Sequence, residues 1–379
     1  MKSRFLAGTC SALVLLLSAC VPTKPAITVD PEATSFGTIT ISAGISHETK
    51  MVAHLYAFAL KEAGYTVEIT DTGNTRAEYL EAMQARPLTA QDVAAPPILA
   101  SPEVSARSTA TNNPQTVDIT PDYTGNLLLH LTAEGTLSPT DIAAAKDRAT
   151  RVPTVEPSTT ASASASATAS PSSSAVATEP PLNVRGMSSS DIISALDKAL
   201  PLDTSLLNAA TAENKDALVV TRATAEKYGI NSIADIAKHC PDLTLGAPAT
   251  FEHRSHGLDA LKTVYGCEPK KFVAVNNQGE LSDQLANDTV QIADIFTSSP
   301  DIEDNAFVVL EDNANNFIAQ QIVPMIRTDE VPQGARDAIN TVSGRLTTQD
   351  LVRLGRLTTG ENSITHQEAA MFWFDSLTE

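Results

Sequence analysis

Hydrophobic and polar positions along the chain repeat with two different periods from residue 37 onward. The run Gly37-Thr-Ile-Thr-Ile-Ser is rich in β-branched residues between two small ones, which predicts a strand. From His47 to Ala63, the apolar Met51, Val52, Leu55, Ala57 and Leu60 recur at helical spacing. Tyr65-Thr-Val-Glu-Ile-Thr predicts a second strand, and Arg76 to Ala85 a second helix. Ile119-Thr-Pro-Asp-Tyr-Thr-Gly-Asn has the pattern of a strand end, a tight turn and a helix start, with an aromatic ring at the corner. A β-α-β-α opening of this kind predicts a mostly parallel sheet with helices on its faces.

Two stretches break the rhythm. Residues 86–115 are rich in Pro, Thr and Asn and predict an inserted surface loop. Pro153 to Pro181 is almost wholly Ala, Ser, Thr and Pro. With no apolar side chain bulkier than valine, it buries too little surface to offset ordering entropy, so disorder is expected. Periodicity resumes near Ser188 with a helix through Ile192, Leu196 and Leu200. Strands are expected at 217–221, 243–247, 271–275, 290–296 and 307–312, with short helices at 223–228 and 232–239. The remainder is chiefly helical apart from a strand at Pro324-Met-Ile-Arg. So many ordered residues divide naturally into two α/β lobes, each a mixed sheet flanked by helices.

The N-terminus changes the picture of where the chain works. Met1-Lys2-Ser3-Arg4 precedes an apolar run from Phe5 to Leu17 and ends in Leu-Ser-Ala-Cys20, the form of a bacterial export signal with a lipidated cysteine. An ordinary signal peptide with a chance cysteine is the alternative. Loss of residues 1–19 removes Lys2 and Arg4 and no acid, so the formal charge moves from −19 to −21. A chain this acidic repels nucleic acid and anionic headgroups. Cys10 leaves with the signal and Cys20 carries lipid, which leaves Cys240 and Cys267 to pair in an oxidising compartment. The expected organisation is a signal segment at 1–19 and a tether at 20–35. A first lobe follows at 36–135, an insertion at 138–187, a second lobe at 188–298, and a return to the first lobe at 299–379.

Several motifs, in order, carry a family resemblance. Pro121-Asp122-Tyr123-Thr124-Gly125 resembles the P-E-Y-T-G of binding proteins for glycine betaine, choline and related osmoprotectants in ABC importers. Ala217-Leu-Val-Val, Ala225-Glu-Lys-Tyr-Gly-Ile and Ser232-Ile-Ala-Asp-Ile are similar to that family's A-L-A-V, A-E-K-Y-G-I and I-S-D-L. Gly246-Ala-Pro-Ala-Thr-Phe-Glu-His-Arg-Ser-His-Gly-Leu resembles its G-A-x-x-E-F-x-x-R-x-D-G-L. The resemblance implies a type II periplasmic-binding-protein fold: a monomer without cofactor, held to the membrane by lipid, closing on one solute and docking on a permease. A trimethylammonium group cannot donate hydrogen bonds and is best held by aromatic faces, and a ligand carboxylate by Arg or hydroxyls. By resemblance Tyr123 and Phe296 offer rings, Thr124 and Thr297 hydroxyls, and Arg254 a carboxylate clamp. Thr49, Asn74 and Thr75 stand at helix starts, where capping alone explains them equally well.

The departures from the family pattern concern the same site. The family's S-K-N-F-T-E-Q reads Ala43-Gly-Ile-Ser-His-Glu-Thr here, an aromatic before the A-L-A-V strand is replaced by Asp216, and the D of R-x-D-G is His256. A full ring cage is not visible, and Asp216 offers a counter-ion for an amine bearing N–H groups. Tyr79 lies at a packing position of its helix. His253 and His256 beside Glu252 have a spacing that suits a metal on a helix, but no third ligand stands near. Catalytic fingerprints such as G-x-S-x-G, H-E-x-x-H or a Walker loop are missing from the sequence, so a binding role is expected over an enzymatic one. A binder of another amine, an amino acid or a metal, and a surface adhesion protein, are the competing readings.

Overall fold

The computed structural model describes residues 27–85, 116–133, 184, 186–254, 256–359 and 362–376, and its strands form two separate five-stranded sheets. The export signal, Cys20, the loop at 86–115 and nearly all of the 138–187 insertion lie outside the described residues.

In the first lobe β1 (Thr38–Ser42) lies between β2 (Thr66–Thr70) and β3 (Ile119–Tyr123), parallel to both. The sheet continues through β4 (Thr204–Leu206) at its far edge and β10 (Ile322–Arg327), which runs antiparallel to β3 and to β4. Helix α1 (His47–Glu62) packs the Met51, Leu55 and Leu60 face on the sheet, and the C-terminal helices Gln333–Ser343, Thr348–Thr358 and His366–Asp375 close over it. On the other face Tyr79, Leu127, Leu128 and Leu196 form a second apolar layer.

The second lobe repeats the plan. Its central strand β8 (Ile292–Phe296) lies between β6 (Thr244–Ala247), which also pairs with β7 (Lys271–Ala274), and the antiparallel β5 (Asp216–Val220). The short β9 (Val308–Val309) forms the edge beside β5. Cys240 and Cys267 are joined by a disulfide with Cα atoms 5.3 Å apart, both fully buried. Val308–Val309 belongs to this second sheet although it lies beyond residue 298, and Ser189–Ala199 and Thr204–Leu206 belong to the first lobe although the sequence placed 188–298 in the second.

The chain therefore crosses between sheets twice, through 207–215 and through 310–321. The crossings pair with each other: Ala210 N donates to Ile322 O at 2.8 Å, Ile322 N to Ala212 O at 3.0 Å, and Asn214 N to Gln320 O at 3.1 Å. The strand expected over 307–312 shrinks to two residues for a local reason. The Asp312 carboxylate accepts from the Asn316 and Phe317 amides at 2.9 and 2.8 Å and from the Tyr265 hydroxyl, which folds the chain into a turn. Helices Gln278–Ala286 and Pro300–Asp304 and the strand Thr204–Leu206 had no clear sequence signal.

Candidate functional site

The first lobe brings the ends of β1 and β3 to the start of α1. After Ser42 the chain turns at Gly44, whose φ is +83° and where a Cβ would meet the Thr49 backbone at 2.6 Å. Ser46 then caps the helix: its side chain accepts from Thr49 N at 3.1 Å, while Thr49 Oγ1 accepts from Ser46 N at 2.8 Å. The Thr49 hydroxyl is thus buried in the cap. Its neighbour Glu48, which drew no attention in sequence, holds the corner together. It accepts from the Tyr123 hydroxyl at 3.0 Å, the Ser46 hydroxyl at 3.1 Å and the Asn214 side-chain amide at 3.2 Å.

Tyr123 closes β3, with its ring in the first-lobe core and only 5% of its surface exposed. Burial, then the nearby Glu48 charge, pushes its phenol well above the ordinary value. Asp122 beneath it is fully buried. It accepts Arg76 Nε at 2.8 Å, Arg76 Nη2 at 2.6 Å, the Tyr123 amide at 2.7 Å and the Tyr79 hydroxyl. Tyr79 is accordingly a packing residue. Thr124 starts the next helix with its hydroxyl donating to Ala319 O at 3.3 Å and accepting from Gln321 N at 3.2 Å, both on the second crossing. Gly125 has no room for a side chain because the Ala319 backbone and the Ile318 side chain lie against it. Asn74 and Thr75 are exposed at the start of Arg76–Ala82, where Thr75 caps the helix and Glu78 accepts from both backbone amides at 2.9 Å. Those bonds, with the Thr75 hydroxyl first among them, hold the Glu78 carboxyl below its ordinary value.

In the second lobe Asp216, at the start of β5, pairs in register with Phe296, at the end of β8. Its carboxylate accepts Arg254 Nη1 at 3.3 Å and lies 3.1 Å from His256 Nε2. Directly opposed and alternate residues share a sheet face, so Asp216, Phe296 and Asp294 stand on one side. Asp294 is 2% exposed and its Oδ1 has no hydrogen-bond partner among the described residues. Burial, then the neighbouring Asp216, pushes its carboxyl well above the usual range, with Arg254 opposing. Phe296 is half-buried. The Thr297 hydroxyl donates to Glu213 O at 3.3 Å and accepts from Lys215 N at 3.1 Å, so it fastens the first crossing to the lobe. His253 turns outward, 4.0 Å from Glu252, while His256 turns toward Asp216, so the two rings diverge.

The structure therefore groups the sequence-derived residues into two clusters, Tyr123 with Thr124 and Thr49, and Asp216 with Arg254, Phe296 and Thr297. Asn74 and Thr75 stand apart on the surface. Asn214 joins the clusters: its amide reaches Glu48 of the first lobe, and it lies two residues before Asp216 on an extended crossing. Glu48, Asn214 and Asp294 are the residues missed. A carboxylate inside the apolar run Ile-Ala-Asp294-Ile-Phe was the available signal for the last, since unpaired acids rarely sit in strand interiors. A cavity of about 310 Å³ lies between the lobes, bounded by Ser189 and Ala319 on one side and Asp216, Thr297 and Val309 on the other. That volume is at the lower end for small-molecule sites.

A model of the substrate-binding domain of ABC-type glycine betaine transport systems matches residues 109–376, more than half of the chain. Among solved structures, a glycine betaine/carnitine/choline ABC transporter protein superposes with a TM-score of 0.61 at 15% identity, covering 89% of this chain and 98% of that one. Apo YehZ from Escherichia coli superposes with a TM-score of 0.57 at 16% identity, with the same coverage of 89% and 98%. At such identities the likeness is one of fold, the two-lobed periplasmic-binding-protein architecture. No curated protein matches the sequence.

Proposed function

Since this chain belongs to the family of substrate-binding domains of ABC-type glycine betaine transport systems, we propose that its cargo is a small ammonium compound of the glycine betaine and choline type. The observation that carries the reading is the set of carboxylates between the lobes. Asp216 borders the cavity together with Glu213, Glu311 and Asp312, and Lys215, paired with Glu213 at 2.9 Å, is the cation among them. A cationic group is favoured there and an anion is not. Arg254 donates through Nη1 to Asp216, and a guanidinium carries five N–H donors, so it also suits the carboxylate of a zwitterion. Leu310, Phe317 and Ala319 supply the apolar part of the cavity wall.

The mechanism that fits this geometry is closure of two rigid lobes about the paired crossings, which enclose one solute. Hydrogen bonds from Thr124 and Thr297 to the crossing backbones anchor each lobe to the segments that must bend. The chain would work outside the cytoplasmic membrane, tethered through Cys20, and hand its cargo to a permease as a binder with no catalytic role. Among the described residues no helix is long and apolar enough to cross a membrane.

Calorimetric titration with glycine betaine and choline, beside neutral sugars and inorganic phosphate, tests the reading. Saturable binding confined to the ammonium compounds supports it. Heat from phosphate or a sugar alone rules it out.

A further inference from the structure

The aromatic residues of the described chain are mostly committed elsewhere. Of the six tyrosines, five are engaged by Ser343, Asp30, Asp122, His239 and Asp312, and none of the five borders the cavity between the lobes. Tyr123 remains, with its hydroxyl fixed on Glu48 and 5% of its surface exposed. Phe317 is the one aromatic residue among those lining the cavity, and a single ring face does not enclose a trimethylammonium group.

Oxygen acceptors are present in their place. Asp294 Oδ1 is buried without a donor, one strand from Asp216 on the same sheet face. Asn214 Oδ1 is likewise buried without a donor among the described residues, while the amide of the same side chain donates to Glu48. Asn214 and Asp216 are alternate residues of an extended segment, so their side chains share a side. A raised pKa lets Asp294 meet its burial by holding a proton, whereas the Asn214 amide oxygen is relieved only by a donor.

We infer that the cationic end of the cargo carries at least one N–H, donated to the Asp216 carboxylate and the Asn214 side-chain carbonyl. This rests on the ammonium reading above and narrows it to incompletely methylated amines. A fully methylated nitrogen leaves the Asn214 carbonyl without a donor and offers the Asp216 carboxylate, already bonded by Arg254 and close to His256, charge attraction alone. Loss of one hydrogen bond to a charged group weakens binding by about tenfold to a hundredfold.

The test is calorimetry of the folded full chain with glycine betaine, N,N-dimethylglycine, N-methylglycine and glycine, which share a carboxylate and differ in the number of N–H groups. The expected result is that an N–H-bearing member binds at least about tenfold tighter than glycine betaine. In Asp216→Asn, that preference should collapse to within about threefold, because the charge-assisted acceptor is gone. If this variant does not fold, the ranking on the unaltered chain decides alone. Glycine betaine binding as tightly as the others, or more so, overturns the inference and leaves the ammonium reading intact. No binding by any member, nor by choline, removes the ammonium reading and the inference with it.

Discussion

The Tyr123 hydroxyl donates to Glu48 at 3.0 Å, and the same carboxylate accepts the Asn214 amide at 3.2 Å. One side chain thus ties the end of the central first-lobe strand to the segment that crosses into the second lobe. The relation gives Tyr123 a positioning role whether or not its ring meets the cargo.

Replacement Tyr123→Phe keeps the buried ring and removes the donor to Glu48. The expected cost is about 1.5–3 kcal/mol, the worth of a hydrogen bond to a charged acceptor, read from urea unfolding of the unliganded chain. An unchanged midpoint and slope would show that Glu48 is satisfied without Tyr123.

Asp122 accepts two nitrogens of Arg76 in a fully buried position. Asp122→Ala leaves the guanidinium without its carboxylate, a change expected to cost about 3–5 kcal/mol. Asp122→Asn, which keeps the shape, should cost less. Denaturant midpoints of the two variants give the comparison, and equal losses would mean that volume, not charge, is what Asp122 contributes.

The Cys240–Cys267 bridge closes a separation of 27 residues within the second lobe. Loop closure of that length stabilises by about 3–4 kcal/mol on the chain-entropy model. The double variant Cys240→Ser, Cys267→Ser should therefore lower the melting temperature. A reductant should lower that of the unaltered chain by the same amount and leave the double variant unmoved. A reductant that shifts the variant as well would place the effect elsewhere.

Asp294 makes a pH prediction. Its folded pKa lies above the ordinary 3.8, so the folded state keeps a proton that the unfolded chain has already released. Stability from this group is therefore present below about pH 4 and is lost as pH rises from there toward the folded value. Asp294→Asn never carries the charge. Its melting temperature should exceed that of the unaltered chain by about 2–4 °C at pH 7.5, the shift that about 1 kcal/mol gives at this size. The gap should close toward pH 4. A variant less stable at pH 7.5 would mean that a charged Asp294 is favourably paired.

Much of the architecture was legible in the sequence because its signals are local. The strand at 38–42 and the helix at 47–62 follow from side-chain period, whereas the Ser46 and Thr49 cap that starts the helix was not read beforehand. Thr204–Leu206 was not, since three residues at a sheet edge carry too few positions for a period to show. Val308–Val309 was overextended because the turn that ends the strand depends on Asp312 meeting Tyr265, 47 residues away. The site divides the same way. The motif around Tyr123 marked one corner, and Asp216 was noticed as a departure from an aromatic. Glu48 and Asn214 lie 166 residues apart, and only the crossing of the chain between sheets brings them together.

The most direct measurement is a crystal structure of the chain with the ammonium compound that binds it most tightly. The expected density lies between the two lobes, with the cargo nitrogen within about 4 Å of the Asp216 carboxylate, the distance of an ion pair. A cargo bound outside that space, or held there with its carboxylate rather than its nitrogen toward Asp216, would contradict the proposed function at its centre.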